Sequence, residues 1–136
     1  MSEPLVFEQK IDLPYRYTVG PAQRHFLRGL ADRTLLASSD GRRAYVPARA
    51  FAPDGTRLER LVELAPVGSV VACTRAHDLD GRVFGLVQVD AAERPLLHLL
   101  DEELPAGTRV EAVWAPDAEP GILALAYFRR PMVATP

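Results

Sequence analysis

Two short turns in the first half of the chain have the spacing of a metal site but not its residues. The turns, S-S-D-G and A-P-D-G, flank a segment that contains Tyr45, Val46 and Pro47. A tetrahedral zinc site on such turns reads C-x2-C-x10-C-x2-C. The corresponding positions here are Ser38, Gly41, Ala52 and Gly55. They cannot supply four soft ligands, so we expect no zinc, and the residues alone suit two ordinary β-turns that flank a strand.

A group of arginines surrounds these turns. It consists of Arg42, Arg43, Arg49, Arg57 and Arg60. Residues 13–60 carry nine arginines and four acids, a net charge of +5, whereas residues 61–136 carry six arginines and eleven acids, a net charge of −5. Guanidinium groups pair well with phosphate oxygens. The pattern indicates a surface that binds an anion or a protein partner, although a run of charges is often only a solvated face.

The other chemical groups do not form a catalytic set. Cys73 and His77 are four residues apart on a predicted strand, but no third group accompanies them, and a buried thiol is the simpler interpretation. We expect His25 on a helix, in packing or at an interface, and His98 on a strand. The acidic run 101–103 is expected in a solvated loop. A free-standing enzyme is therefore the least favoured interpretation.

The composition is that of one folded domain made of short elements. The 136 residues are 48% apolar and 25% charged, with 12 prolines and 9 glycines. Cys73 is the one cysteine, so no internal disulfide can form. No run approaches the ~18 apolar residues of a membrane span. We expect a soluble chain with no membrane contact in a reducing, cytoplasmic setting.

The periodicity predicts one helix and then strands. Residues 1–19 read as an extended arm, and residues 21–33 as a helix that places Ala22, Phe26, Leu27 and Leu30 on one face. The five predicted strands are 61–64 joined to 69–76 as one bent strand, 83–89, 96–100, 109–114 and 122–128. In the second of them, four residues point one way (Val83, Gly85, Val87 and Val89) and three the other (Phe84, Leu86 and Gln88). Five short strands favour an OB-fold barrel, with an SH3-like barrel as the competing fold.

In this order the pieces resemble a family of zinc-ribbon OB-fold proteins that accompany thiolase-like and other acyl-CoA enzymes. In that family, C-x-x-C turns flank a segment ending in V-P-x-R, which Y-V-P-A-R at 45–49 matches, and Pro53 matches the proline after the third cysteine. The matching barrel segments are L-V-E-L-A-P-V-G-S-V-V from residue 61, L-V-Q-V-D from 86, P-A-G-T-R-V-E-A-V-W from 105 and A-Y-F-R-R from 126. The resemblance covers nearly the whole chain and rests on the order of the pieces. The chain departs from the family at all four cysteine positions.

The resemblance implies a mainly β fold. A five-stranded OB-fold barrel (residues 61–130) would follow an arm and helix (1–33) and a degenerate, metal-free ribbon (34–60), with a tail at 131–136. Without zinc the ribbon must be held by packing. The residues available for that packing are Tyr45, Val46, Phe51 and Leu58.

The resemblance also implies a non-catalytic accessory subunit in a hetero-oligomer with a thiolase-like or related acyl-CoA enzyme. The arginines would lie near the coenzyme A (CoA) part of a thioester ligand, and no cofactor is expected. The expected docking residues are Tyr15, Tyr17, Phe26, Leu27 and Leu30. The alternative is a single-stranded nucleic-acid-binding OB-fold module, which the acidic barrel half and its few aromatic residues make the weaker hypothesis.

Overall fold

The computed structural model describes residues 20–77 and 80–132. The predicted arm, with Tyr15 and Tyr17, and residues 133–136 of the predicted tail lie outside the described residues. The described elements are α1 (Pro21–Ala31), β1 (Leu35–Ser39), β2 (Ala44–Tyr45), β3 (Arg60–Leu64), β4 (Val67–Ala76), β5 (Arg82–Val89), β6 (Leu96–Leu100), β7 (Arg109–Trp114), a 3₁₀ turn (Ile122–Ala124) and β8 (Leu125–Arg129).

The predicted helix forms and ends two residues earlier than expected. Pro21 occupies its first turn, where a missing N–H costs nothing. The chain leaves the helix at Arg33, which has a φ of 59°. The N–H groups of Arg33 and Thr34 donate to the carbonyls of Leu30 and Gly29, at 3.1 and 2.8 Å. These two bonds form a Schellman motif, which satisfies the last carbonyls of the helix.

A three-stranded antiparallel sheet with the strand order β2-β1-β3 follows the helix. The prediction that 61–64 and 69–76 form one bent barrel strand is wrong, because β3 pairs with β1, with Leu35 opposite Leu64 and Ser39 opposite Arg60. The break falls at Pro66, which has no N–H to continue a ladder. The last strand of the ribbon sheet and the first strand of the barrel therefore follow each other directly.

A closed barrel with the strand order β4-β5-β6-β8-β7 makes up the rest of the fold. Its strands pair antiparallel except β6 and β8, which are parallel, with Leu100 opposite Phe128. The alternation predicted for β5 is confirmed: Val83, Gly85, Val87 and Val89 are buried and the residues between them are half-buried. The predicted mainly β fold with an OB-fold-like barrel is confirmed.

The final strand is shorter than predicted. Ile122–Ala124 forms a 3₁₀ turn, and strand pairing with β7 begins only where Leu125 lies opposite Trp114. The amide of Ala124 donates to the carbonyl of Gly121 at 3.1 Å, which closes the turn. The run from Ile122 to Phe128 is apolar throughout, so its periodicity could not separate the turn from the strand.

One hydrophobic core runs through the helix, the ribbon sheet and the barrel. It contains Phe26 and Leu30 from α1, Leu35 from β1, and Val87 and Phe128 from the barrel. Each of these side chains is at most 1% exposed. In the described part of the chain, no helix is long and apolar enough to cross a membrane.

His98 lies inside the barrel on β6, as the sequence predicts for a strand histidine. Its side chain is 6% exposed. Its Nε2 lies 2.5 Å from the carbonyl oxygen of Leu125, and its ring meets Phe128 edge-on with centroids 6.1 Å apart. Burial lowers the pKa of His98 below its ordinary value of 6.5, and the bond to Leu125 opposes the shift only in part.

The lowered pKa of His98 predicts that acid destabilises the barrel. The unfolded chain binds the proton more readily than the folded one, so the contribution of His98 is complete above pH 6.5 and declines as the pH falls below it. One such group changes the free energy of unfolding by at most about 1.4 kcal/mol per pH unit. Urea denaturation between pH 7 and 5, followed by the fluorescence of Trp114, measures it.

A matched pair of variants isolates this group. His98→Gln keeps a donor for the Leu125 carbonyl but does not titrate, so it should flatten the dependence. His25→Gln changes an exposed histidine and should leave the dependence unchanged. An equal pH dependence in wild type and His98→Gln would contradict the prediction.

Candidate functional site

The first turn (residues 38–41) is built by side chains that accept hydrogen bonds from its own backbone. Oδ1 of Asp40 accepts the amides of Arg42 and Arg43 at 2.9 and 2.8 Å. Oγ of Ser39 accepts the amide of Gly41 at 2.9 Å. Gly41 has a φ of 96°, a conformation that suits glycine. The turn therefore closes through local hydrogen bonds of the kind that Asp and Ser typically make.

The second turn (residues 52–55) repeats this construction. Oδ1 of Asp54 accepts the amide of Thr56 at 3.0 Å. The amide of Gly55 donates to the carbonyl of Ala52 at 2.9 Å, and the amide of Ala52 donates to the carbonyl of Thr56 at 2.8 Å. Gly55 has a φ of 89°. Each turn thus presents one aspartate whose second carboxylate oxygen is left for another partner.

Arg43 binds the second carboxylate oxygen of both aspartates, Asp40 and Asp54. Its Nε and Nη2 donate to Oδ2 of Asp40 at 3.1 and 3.0 Å, and its Nη1 lies 3.1 Å from Oδ2 of Asp54. The guanidinium also lies over the ring of Tyr45, 5.8 Å from its centroid. We call this group of Asp40, Arg43 and Asp54 the Arg43 bridge. It connects the two turns, which a shared zinc ion would connect in a metal-binding ribbon.

The charges of the bridge stabilise one another. The backbone amides of Arg43 and Arg42, and then the Arg43 side chain, lower the pKa of Asp40 to about 2. The amide and side chain of Thr56, followed by Arg43, lower the pKa of Asp54. Asp40, and then Asp54, raise the pKa of Arg43. All three groups are therefore ionised at neutral pH.

The four positions with the spacing of zinc ligands do not fit a zinc ion. Ser38 alone has a side-chain donor atom, and its Oγ already accepts the amide of Arg49 at 2.6 Å. Ala52 is 5% exposed and packs with Tyr45 and Leu58 in a small separate core. Among residues 20–77 and 80–132, no three His, Cys, Asp or Glu side chains come together as metal ligands. That zinc is not bound stays a prediction.

Fewer side chains pack inside the ribbon (residues 34–60) than the sequence suggested. Tyr45 and Leu58 contribute to the small core, and Val46 enters the main core. Phe51 does not pack: it is 54% exposed, and the expectation that it would hold the ribbon is wrong. Ala52, its neighbour, takes the inward position, because successive residues of an extended segment point to opposite sides.

The five arginines do not form one cluster. Arg43 is committed to the two aspartates, so it has no free donor pair to offer a phosphate. Arg42 lies with it at a cleft of about 450 Å³ lined also by Asp40 and Asp54. The carboxylates there disfavour an anion. Arg42 and Arg43 are therefore poorer candidates for phosphate contact than the sequence suggested.

The other three arginines line two clefts beside the start of α1. The first cleft, of about 450 Å³, has Arg49 on one side and Pro21 and Gln23 on the other. The second cleft, of about 470 Å³, contains Arg57, Arg60 and His25. Both clefts share Pro21, Ala22 and Ala50 in their walls. The second cleft also contains Glu59, which pairs with Arg57 at 3.6 Å. Taken together, the two adjoining clefts, which we call the groove beside α1, combine apolar walls with Arg49 and Arg60, which suits a ligand that has both apolar and anionic groups.

The helix residues predicted to dock on a partner are occupied within this chain. Phe26 and Leu30 are each 1% exposed, and Leu27 is half-buried against the same core. The prediction of docking is wrong for Phe26 and Leu30, because their face of the helix covers β1 and the barrel. The amphipathic pattern was correct, but it could not tell whether the apolar face meets this chain or another.

Cys73 and His77 do not form a reactive pair. The thiol of Cys73 donates to the carbonyl of Leu104 at 3.3 Å, and its side chain packs against the core. His77 is exposed beyond the end of β4. Within the described residues, no hydrogen bond joins His77 or the buried His98 to a Cys, Ser or Thr side chain.

Among known proteins, this chain is similar in fold to solved structures. No protein-family model matches it, and no curated protein matches it. Its fold is similar to that of a protein of unknown function from the DUF35 family of Sulfolobus solfataricus, with 22% identity, a TM-score of 0.60, and coverage of 69% of this chain and 78% of the other. It is also similar to a chain of the Ltp2–ChsH2(DUF35) aldolase, with 19% identity, a TM-score of 0.64, and coverage of 85% and 98%.

Removing the Arg43 bridge should loosen the two turns without unfolding the barrel. Arg43→Gln leaves each aspartate with its local backbone bonds but takes away the contact between the turns. We expect faster amide hydrogen exchange in residues 38–58 and little change in β5 and β6, because local opening is governed by local contacts. Exchange measured by mass spectrometry at neutral pH tests this.

The matched control is Arg57→Gln. Arg57 belongs to the same ribbon, but its ion pair with Glu59 is 3.6 Å long and both side chains are 75% exposed. Such a pair contributes little. Equal exchange in the two variants would count against the bridge. A chelator should change the exchange of the wild-type ribbon no more than buffer does, since the link between its turns is ionic.

Proposed function

We propose that this chain is a non-catalytic accessory subunit of a thiolase-like or related acyl-CoA enzyme. The observation that supports this most is the likeness to a chain of the Ltp2–ChsH2(DUF35) aldolase, which this chain covers over 98% of its length. In that name a DUF35 component is coupled to an aldolase. The order of helix, ribbon and barrel in the sequence points to the same class of protein.

The side chains of the described residues agree with a non-catalytic role. His98 is buried and holds the Leu125 carbonyl, and Cys73 is bonded to Leu104. His25 and His77 are exposed. A general base must lie within hydrogen-bonding reach of the group that it activates. In this proposal the reaction belongs to the partner, and this chain completes the assembly.

The groove beside α1 is the proposed place for the CoA part of the substrate. CoA is an elongated molecule whose 3′-phosphate and pyrophosphate lie on the two sides of one ribose, at its nucleotide end. Arg49 lines the first cleft and Arg60 the second, and the two clefts share part of their walls. Arginine forks bind phosphates in pairs of hydrogen bonds. The phosphates are thus assigned to Arg49 and Arg60, whereas Arg57 pairs with Glu59. In this proposal the ribbon positions these arginines without zinc.

Co-purification with the enzyme tests the proposed role. The thiolase-like protein encoded nearest to this chain is co-expressed with it, and the mixture is separated by size-exclusion chromatography and assayed for acyl-CoA turnover. We expect a shared peak and a loss of activity when this chain is omitted. Two separate peaks, with equal turnover in the presence and absence of this chain, would contradict the proposal.

Titration of the complex with CoA tests the groove. Arg49→Ala and Arg60→Ala should each weaken binding by about tenfold or more, because each removes a charge-assisted hydrogen bond worth roughly 1.5–3 kcal/mol. Isothermal titration calorimetry gives the dissociation constants. Pantetheine, which lacks the phosphates at one end of CoA, should bind the variants and the wild type equally.

The control is Arg94→Ala, which removes an exposed arginine from the loop between β5 and β6. It lowers the net charge by the same amount but lies on the barrel. If Arg94→Ala weakened CoA binding as much as Arg49→Ala, the effect would be general electrostatics and the groove would be the wrong site.

Single-stranded nucleic acid remains the weaker alternative. OB-fold modules bind strands with stacked aromatic rings in a basic groove. On the outer side of the barrel, Ala72 lies opposite Leu86 and Leu86 opposite Leu97, so this row is aliphatic. With a net charge of −5 over residues 61–136, the barrel half is also unsuited to a polyanion.

A further inference from the structure

Phe51 is an exposed aromatic side chain that the fold does not explain. It is 54% exposed, whereas Phe26 and Phe128 are buried in the core and Phe84 is half-buried. Covering an exposed aromatic ring removes apolar surface from water, which is favourable. The small core of Tyr45, Ala52 and Leu58 does not include Phe51, although Ala52 is its neighbour in the sequence. The ring is therefore presented outward.

The segment that carries Phe51 is held in place. Phe51 forms an antiparallel bridge with Arg57. One residue further from the turn on each side of this bridge, the amide of Leu58 donates to the carbonyl of Ala50 at 2.8 Å. The second turn closes the other end, and the Arg43 bridge ties that turn to the first. A rigid, exposed ring loses little conformational entropy when a partner covers it.

The charge around the ring is positive. Arg57 lies directly opposite Phe51, and Arg49 lies two residues before it. Of the nearby acids, Asp54 is engaged by Arg43, and Glu59 forms only a long, exposed pair with Arg57. Residues 34–60 carry five arginines and three acids, a net charge of +2. An aromatic ring beside arginines is the composition enriched at the centres of protein interfaces.

We propose that Phe51 is the anchor by which this chain docks on its partner enzyme, with the ring entering an apolar pocket whose rim carries a carboxylate that faces Arg57. The inference rests on the proposed accessory function and adds the surface and the chemistry of the partner. It places the interface on the ribbon, where the sequence had placed it on the arm and helix.

Two other occupants are less consistent with the structure. A nucleic-acid strand needs several stacking rings in series, and Phe51 is the single ring in the exposed set of the described residues. A partner on the barrel would cover Leu97, which is 63% exposed. The pocket beside Leu97 is lined by uncharged residues, and the nearby Arg82 guanidinium lies over the ring of Phe84, 5.9 Å from its centroid. The ribbon surface has both an apolar centre and a charged rim.

The test compares three single variants in binding to the co-expressed thiolase-like enzyme by biolayer interferometry. Phe51→Ala should weaken binding by about 30-fold or more, as expected for a central aromatic anchor. Arg57→Gln should slow association and reduce its dependence on salt, since rim charges act on the encounter. Leu97→Ala, which removes an equally exposed apolar side chain from the barrel, should change binding by less than about twofold. All three side chains are exposed, and circular dichroism checks that each variant is folded.

The outcomes separate this inference from the proposed function. If the wild-type chain binds the enzyme and Phe51→Ala binds equally well, the inference is overturned and the accessory role stands. A large loss in Leu97→Ala alone would place the interface on the barrel and overturn it too. If the wild-type chain does not bind the enzyme, the proposed function fails and this inference fails with it. Binding of a fluorescent dT oligonucleotide that Phe51→Ala abolishes would assign the ring to nucleic acid instead.

Discussion

The ion pairs that Arg43 makes with Asp40 and Asp54 link the two turns of the ribbon. Each turn closes on its own through aspartate-to-amide bonds, but nothing in those bonds fixes one turn against the other. The guanidinium does so because its planar donors reach two carboxylates at once. The bridge segment with Phe51 and Arg57 lies between the second turn and the strand that follows, so its position depends on the same contact.

The shared core explains why the ribbon, helix and barrel act as one body. Phe26 and Leu30 fill the space between β1 and the barrel, and β3 leads into β4 across Pro66. The groove beside α1 is formed by this arrangement, since one wall belongs to the helix and the other to the ribbon. A ligand held there would contact elements that cannot move apart without exposing the core.

Much of the fold could be predicted because its signals are local. The period-2 pattern of β5 and the helical spacing of Phe26 and Leu30 each depend on a few adjacent residues, and both are confirmed. The strand β3 was misplaced because its pairing with β1 is a long-range choice. The role of Arg43 was missed for a similar reason: an aspartate at the same place in each turn was a visible signal, but the choice of one arginine among five is made in three dimensions. The exposure of Phe51 could not be predicted either, because only the folded chain shows that its neighbour Ala52 takes the inward-facing position.

A ribbon whose turns are linked by an ion pair responds to other cellular conditions than a ribbon linked by zinc. A zinc ribbon depends on thiolates, which oxidants convert to disulfides or sulfenic acids and thereby release the metal. Asp40, Arg43 and Asp54 have no comparable redox chemistry. The link between the turns is therefore insensitive to oxidants and to the supply of metal, and it is sensitive to ionic strength, which screens exposed ion pairs. On the expectation that no zinc is bound, a surface built on this ribbon keeps its geometry during oxidative stress or zinc limitation and weakens when salt rises.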